Sequence, residues 1–318
     1  MKIFRGLDFQ IKNPCVMALG TFDGIHLAHQ KLLRFARRLA RSRGLKFAVF
    51  SFQNLPRNLF VAKPLQLIMT VSEKEECFRR LKVDYLIHLE FTRDFSRLTA
   101  REFVEFLHER CRINYLCAGF NFKFGHLNRG DVAFLSRACE LLGIETRVIP
   151  PVERNGEIVS SSLIRDKIAE GKIEEAVCFL NHPLLISGRV ICGRGAGRTF
   201  GFPTANLIPE EEIVPKYGVY FCYAILPGKM ILPGVINIGL VPSFFTGGLP
   251  RFELHILDFN GNLYRKKITV ALLHYRRPES KLTQAELKKC IALDIKAARS
   301  YFATRGKDDK ILHSVSGP

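Results

Sequence analysis

Apolar positions along the first part of the chain alternate between two rhythms. Short apolar runs at residues 15–19, 47–52, 85–89, 115–119 and 146–149 have the length of buried strands. Between them, residues 26–39, 72–81, 99–110 and 132–142 repeat apolar side chains at helical spacing. Strands alternating with helices predict an α/β domain built on a mostly parallel sheet covered on both faces. Ligands of such sheets lie beyond the carboxyl ends of the strands.

The rhythm changes near Asn181, His182 and Pro183. Residues 190–192, 219–226, 234–238, 252–257 and 268–273 form short runs, many broken by Gly and Pro, with no long helical pattern among them. That pattern predicts a small antiparallel β-barrel. Residues 284–302 return to helical spacing, with Leu287, Ile291, Ile295 and Ala298 on one face, and the end of the chain reads as a frayed tail. The expected division is therefore an α/β domain over 1–182, a barrel with its terminal helix over 183–304, and a tail over 305–318.

Composition narrows the classes. With 318 residues the chain exceeds one comfortable core, and 47% hydrophobic with 25% charged residues is ordinary for a globular protein. No apolar run approaches the roughly 20 residues of a membrane span. Arg5, Asp8, Lys12 and Pro14 interrupt any signal-peptide core at the start, so a cytoplasmic location is expected. The nine cysteines form no CxxC pair and read as reduced thiols, not a zinc site. A net charge of +18 favours anionic partners: nucleic acid, phosphorylated ligands or a membrane surface. The run Arg34, Arg37, Arg38, Arg41, Arg43, Lys46 equally suits the wet face of a helix.

Two constellations carry chemistry. The first strand runs into Gly20-Thr21-Phe22-Asp23-Gly24-Ile25-His26-Leu27-Ala28-His29. Gly20 and Gly24 let the backbone of a strand-to-helix turn approach a ligand closely, and the helix start that follows offers free N–H groups to phosphate. Gly20, Phe22, Asp23 and Gly24 are the nucleotide-binding candidates, with Asp23 read as a local cap or a neighbour of the metal. His26 and His29, three apart, share the first helical turn, where two imidazoles can donate to a triphosphate as charge moves onto pyrophosphate. Further on, Ser160, Ser161 and Ser162 cap a helix start and leave hydroxyls for phosphate, with Arg165 to neutralise charge; alone, this segment is equally a plain cap with a surface arginine.

The second constellation lies in the barrel. Gly193, Gly197, Arg198 and Gly201 form a glycine- and arginine-rich loop suited to phosphates, or a flexible turn. In Pro203-Thr204-Ala205-Asn206, alternation places Thr204 and Asn206 on one side of a strand, two neutral oxygens able to hold Mg²⁺ with substrate phosphates. Glu253, in the alternating run 252–259 with His255, is either a general base beside ATP or a cross-strand partner for a cation; spacing alone favours the latter.

The segment G-x-F-D-G-x-H-x-x-H resembles the nucleotidyltransferase signature of bacterial bifunctional riboflavin kinase/FAD synthetases. Residues 52–57 (FQNLPR), 119–125 (GFNFKFG) with Gly130-Asp131, and 160–165 (SSSLIR) resemble further segments of that family in the same order. So do G-R-x-x-G-x-P-T-A-N, Gly218-Val219-Tyr220, Asn237-Ile238-Gly239, the Glu253 strand and Arg277, so that the likeness spans roughly residues 15–300. Ala28, Ser162, the pair Asn54-Leu55 and Ser243 depart from the family pattern. The resemblance implies phosphorylation of riboflavin to FMN in the barrel and adenylylation of FMN to FAD in the α/β domain, with ATP as co-substrate and Mg²⁺ as cofactor. It implies that Glu253 is the kinase base, that Thr204 and Asn206 bind the metal with ATP, that Asn121 lies on the flavin side of the first site, and that Arg277 and the terminal helix close over the flavin. Neither a membrane nor a nucleic-acid partner is then expected. Two other readings stay open at this point: a basic nucleic-acid-binding protein built on these folds, and a nucleotidyltransferase with a different acceptor.

Overall fold

The computed structural model describes residues 1–192, 201–210, 213–240, 250–279 and 283–305. Packing divides the chain into two compact units, Met1–Ser161 and Ser162–Pro318. The division falls well before the change of rhythm near residue 181.

The first unit runs β1 (Lys2–Phe4), β2 (Ile11–Leu19), α1 (Leu27–Ser42), β3 (Lys46–Phe52), α2 (Val71–Arg80), β4 (Tyr85–Leu89), α3 (Ala100–Arg110), β5 (Cys111–Gly119), α4 (Val132–Leu141), β6 (Glu145–Ile149) and a small hairpin of β7 (Glu153–Arg154) and β8 (Glu157–Ile158). The six-stranded sheet has the order β1-β4-β3-β2-β5-β6, and every pairing in it is parallel. β2 shows why the apolar run is continuous. Its Cys15, Met17 and Leu19 join the core beneath α3 and α4, while Val16 and Ala18 join the opposite core beneath α1 and α2. A strand buried on both faces has no polar side to display. α2 and α3 each begin with a capping box, Thr70 with Glu73 and Thr99 with Glu102, which fixes where both helices start. β1 and the hairpin are too short and exposed to leave an apolar signature. Chain order runs outward from β2 through β3 and β4 to one side, then returns to β5 and β6 on the other. The mouths of β2 and β5 are therefore the switch point of the sheet, where ligands of doubly wound folds bind.

The second unit follows α5 (Ser161–Glu170) with α6 (Ile173–Leu180), β9 (Leu184–Ile191), β10 (Ala205–Pro209), β11 (Gly218–Ile225), β12 (Ile231–Leu240), β13 (Pro250–Ile256), β14 (Lys267–Pro278) and α7 (Gln284–Arg305). The six strands close as β10-β13-β12-β11-β14-β9, all antiparallel. β9 and β12 are longer than their apolar runs because glycines that look like breaks lie inside them. A Cβ on Gly188 would meet Ile208 O at 2.5 Å, and one on Gly234 would meet His255 O at 2.8 Å. These glycines permit close strand approach instead of ending the strand. α7 packs Ile291, Ile295 and Ala298 against Val219, Phe221 and Val235, on the expected face.

Asp294, 4% exposed on α7, receives Arg277 Nη2 at 2.8 Å and Nε at 3.1 Å. A buried carboxylate held by a guanidinium fork is costly to leave unpaired. Asp294→Ala is expected to destabilise this unit by about 2 kcal/mol. Urea unfolding followed by tyrosine emission checks it, since six of the eight tyrosines lie here; an unchanged midpoint would show the clamp to be idle.

Candidate active sites

At the mouth of β2 the backbone turns sharply, with positive φ at Phe22 (51°), Gly24 (76°) and Ile25 (36°). Such a turn persists only where its surroundings hold it. Here the carbonyls are taken up by the protein. Thr21 O accepts from Ser51 Oγ at 3.0 Å and Lys74 Nζ at 3.2 Å. Asp23 O accepts from Ser161 Oγ at 3.0 Å, and Ile25 O from Gln30 Nε2 at 2.9 Å. Phe22 O accepts from Ile25 N at 3.2 Å. A turn that binds an anion must keep its acceptors from the ligand, and these four carbonyls are held by protein donors. Ser161 also joins the serine segment to the glycine turn across 138 residues of sequence.

The two histidines lie side by side as expected, but only His29 is within the helix. α1 begins at Leu27, and His26 is its N-cap, with Nδ1 accepting from His29 N at 3.5 Å. That acceptor role puts the neutral ring's proton on Nε2, leaving Nε2–H as the donor. The two rings stack with centroids 3.6 Å apart. His26 is only 4% exposed and His29 is half-buried, so the pair is more enclosed than a surface helix start would be. Burial, then the charges of His26 and Lys74, hold His29 well below the usual histidine pKa, so it is neutral. Its Nδ1 is buried without a hydrogen-bond partner. A buried unpaired ring nitrogen beside such a turn is a polar group available to a bound phosphate.

Other candidates of this constellation fare unevenly. Gly20 lies where a Cβ would press on the Phe22 ring at 3.0 Å. Phe22 has no exposed surface and packs against His29 and Phe78, so its side chain belongs to the core and only its backbone can meet a nucleotide. The Asp23 carboxylate is turned away from solvent: it is 1% exposed and accepts the distant Ile68 N–H at 3.1 Å. Ser160 and Arg165 are half-buried and Ser162 is exposed, at or near the start of α5.

Beside the turn opens an apolar cleft, walled by Phe52, Pro56, Phe91, Phe95, Phe122 and Phe124 and lined also by Gly20. Phe52 meets Phe91 and Phe95 edge-on at 4.9 and 5.4 Å. Asn54 fixes one wall by exchanging two hydrogen bonds with the Phe91 backbone. Gly125, at φ 73°, lets the loop after β5 pass where a Cβ would meet Ala100 N at 2.6 Å. The aromatic walls and place at the switch point suit a flat heteroaromatic ring. Asn121 is exposed and does not line this cleft; its neighbours Phe122 and Lys123 do. Phe52, Pro56, Phe122 and Phe124 fall in the two segments singled out by the resemblance, 52–57 and 119–125, whereas Phe91 and Phe95 were missed, although their place just past a strand end, in a chain with 26 Phe and no Trp, was the available signal.

In the barrel, register places Asn206 of β10 and Asn237 of β12 directly opposite Glu253 of β13, one on each side. Paired residues share a face, so a carboxylate and two amides form one row. Arg251, two residues along the same strand, donates Nε to Asn206 Oδ1 at 3.2 Å and pairs through Nη2 with Glu253. The cross-strand reading of Glu253 is thus half right: its cation partner is an arginine on its own strand. Burial pushes the Glu253 carboxyl above the usual carboxylate range, against the pull of Arg251 and of a hydrogen bond from Asn237. His255 Nδ1 lies 2.8 Å from Pro203 O and so ties the start of the PTAN segment to the glutamate strand. Thr204 is half-buried, one residue before β10, outside the ladder in which it was expected to alternate with Asn206. Gly201 is exposed in a turn at φ 84°. Gly193, Gly197, Arg198 and Ser243 lie outside the described residues. Arg277 spends its fork on Asp294, which makes it a strut of α7 in this structure and not an open flavin contact. Arg251 was missed from the sequence, and Asn237 was named there only through the resemblance; both belong to this row.

Could the row hold Mg²⁺? Among the described residues no group of three His, Cys, Asp or Glu is placed for a metal. Asn206 Oδ1 accepts one hydrogen bond, from the Arg251 guanidinium, and as an amide oxygen keeps a second lone pair, while Thr204, two residues earlier, has a neutral hydroxyl. That donor set fits a metal carried mainly by phosphate oxygens.

Comparison with known proteins places both halves. The family model described as FAD synthetase matches residues 8–163, and that described as riboflavin kinase matches 180–302. A bifunctional riboflavin kinase/FMN adenylyltransferase of Escherichia coli K12 is 34% identical over 308 residues, covering 95% of this chain and 98% of that one. The protein of the same name from Haemophilus influenzae is 33% identical over 308 residues, covering 95% and 99%. A crystal structure described as a macrolide-efflux protein from Streptococcus pneumoniae superposes with a TM-score of 0.86 at 30% identity, covering 94% of this chain and 98% of its own. In the present chain no helix among the described residues is long and apolar enough to cross a membrane.

Proposed function

The chain belongs to the bifunctional riboflavin kinase/FMN adenylyltransferase family, and from that premise we infer that it makes flavin cofactors in two steps. It phosphorylates riboflavin to FMN with ATP, and then adenylylates FMN to FAD with release of pyrophosphate. We assign the second reaction to residues 1–182 and the first to residues 183–304, both carried out in the cytoplasm on small-molecule substrates.

In phosphorylation, Glu253 takes the proton of the attacking ribityl hydroxyl. Its supports are the raised proton affinity given by burial and the Arg251 and Asn237 contacts that hold it in the row. Thr204 and Asn206 would hold Mg²⁺, which when bound neutralises charge on the transferring phosphoryl group.

In adenylylation the FMN phosphate is itself the nucleophile, so positioning and charge stabilisation suffice without a general base. The aromatic cleft takes the flavin ring. Gly20, Gly24, Ser160, Ser161 and Ser162 offer donors to the nucleotide, and Arg165 balances its charge. His29, as a neutral donor, and His26, through its Nε2–H, stabilise the departing pyrophosphate. The observation that carries this placement is the buried, unpartnered Nδ1 of His29 beside the strained turn.

Purified protein given riboflavin, ATP and Mg²⁺ is expected to yield FMN and then FAD on chromatography. Absence of both products, with tight salt-sensitive binding to DNA in their place, would favour a nucleic-acid-binding role, which the net charge of +18 motivates.

A further inference from the structure

Lys74 lies in the first turn of α2 and is only 2% exposed. Burying an ammonium costs several kcal/mol unless it is paired and hydrogen-bonded, so its partners explain its presence. Nζ donates to Phe52 O at 2.6 Å and to Thr21 O at 3.2 Å. Phe52 ends β3, and Thr21 stands just past the end of β2, where these neighbouring strands leave the sheet. One loop carries the histidine turn, and the other carries Phe52 and Pro56 of the aromatic cleft. Charged and titratable groups surround Lys74 from every side: Asp23 from the turn, Glu75 on α2, His29 on α1 and His88 on β4. His88 is wholly buried, with Nε2 3.2 Å from the same Phe52 O and Nδ1 3.0 Å from Glu75 Oε1.

We propose that Lys74 is a positioning residue for adenylyl transfer: from inside the fold its ammonium pins the departing ends of β2 and β3 together and keeps a positive charge behind the histidine turn. This rests on the reading that adenylyl transfer occurs at that turn. The two ties fix the distance between the phosphate cradle and the flavin wall, and the charge favours the developing negative charge of the pyrophosphate.

Lys74→Met and Lys74→Arg test it in the full-length protein, with FMN binding followed by flavin fluorescence as the check on folding. Lys74→Met is expected to bind FMN but to lose roughly tenfold to a hundredfold in kcat for FAD formation from FMN, with a smaller change in KM. Lys74→Arg, which keeps charge and donors, is expected to recover part of that loss. Burial lowers the Lys74 pKa to about 8, with Asp23 and Glu75 opposing, so the wild-type rate is expected to fall as pH rises through that value. The native pKa lies below the ordinary value of 10.5, so losing this proton between the two adds stability; unfolding through Lys74 is therefore not the cause of the fall. Wild-type kcat in Lys74→Met, or a wild-type rate flat through pH 8, would overturn the proposal. The pH profile needs no variant and decides the matter if Lys74→Met fails to bind FMN. A wild-type protein that makes no FAD from FMN at any pH would instead overturn the functional reading.

Discussion

Glu253→Gln is expected to lower FMN formation from riboflavin by about 10²- to 10⁴-fold, while FAD formation from supplied FMN continues at the wild-type rate. The substitution keeps shape and the cross-strand register with Asn206 and Asn237. It removes a carboxylate able to take a full proton, which neither the paired amides of Asn206 and Asn237 nor the Arg251 guanidinium can do. Arg251 loses its anionic partner, which affects local order more than the fold, because Glu253 is partly solvent-exposed. Product analysis by chromatography separates the two reactions. Retained kinase activity would return Glu253 to the role of an ion-pair partner; loss of both reactions would contradict two separate sites.

His29→Ala is expected to do the reverse: riboflavin phosphorylation persists and FAD formation falls by about 10²-fold or more in kcat. The imidazole stacks on His26 and abuts Phe22, so its removal costs packing as well as a phosphate donor. A purely structural role would weaken stability and leave the turnover of the folded fraction intact. The discriminating readout is therefore kcat measured beside FMN binding to the neighbouring cleft. Unchanged FAD yield would discredit the assignment, and His26→Ala, which removes both the helix cap and its Nε2–H, should show a comparable loss.

Much of the fold was legible because it depends on local rhythm. Strands buried on both faces, such as β2, are continuous apolar runs, and the helices covering them show one apolar side. The barrel was legible in kind but not in extent, because Gly188 and Gly234 serve close approach inside strands and look like breaks in a linear sequence. The site was legible where backbone geometry demands a residue type, as with Gly20, Gly24 and the paired histidines. It was illegible where a side chain acts at long sequence separation. Phe22 and Asp23 stand in the motif yet point inward, to Phe78 and Ile68. Lys74 resembles any surface lysine of a helix start, and only the third dimension brings it to Thr21 and Phe52. Asn237 joins Glu253 through strand pairing, which no spacing in the sequence encodes, whereas Arg251, two residues along the same strand, was within reach of simple alternation.

The central claim is that two separable sites in one chain act in succession on the same flavin. Mixing the Glu253→Gln and His29→Ala proteins with riboflavin, ATP and Mg²⁺ tests it most directly. Each variant alone should fail to make FAD from riboflavin, one stopping before FMN and the other at FMN. Together they should make FAD, because FMN released by one protein is adenylylated by the other. A mixture that makes no FAD, while wild-type protein under the same conditions does, would contradict the account.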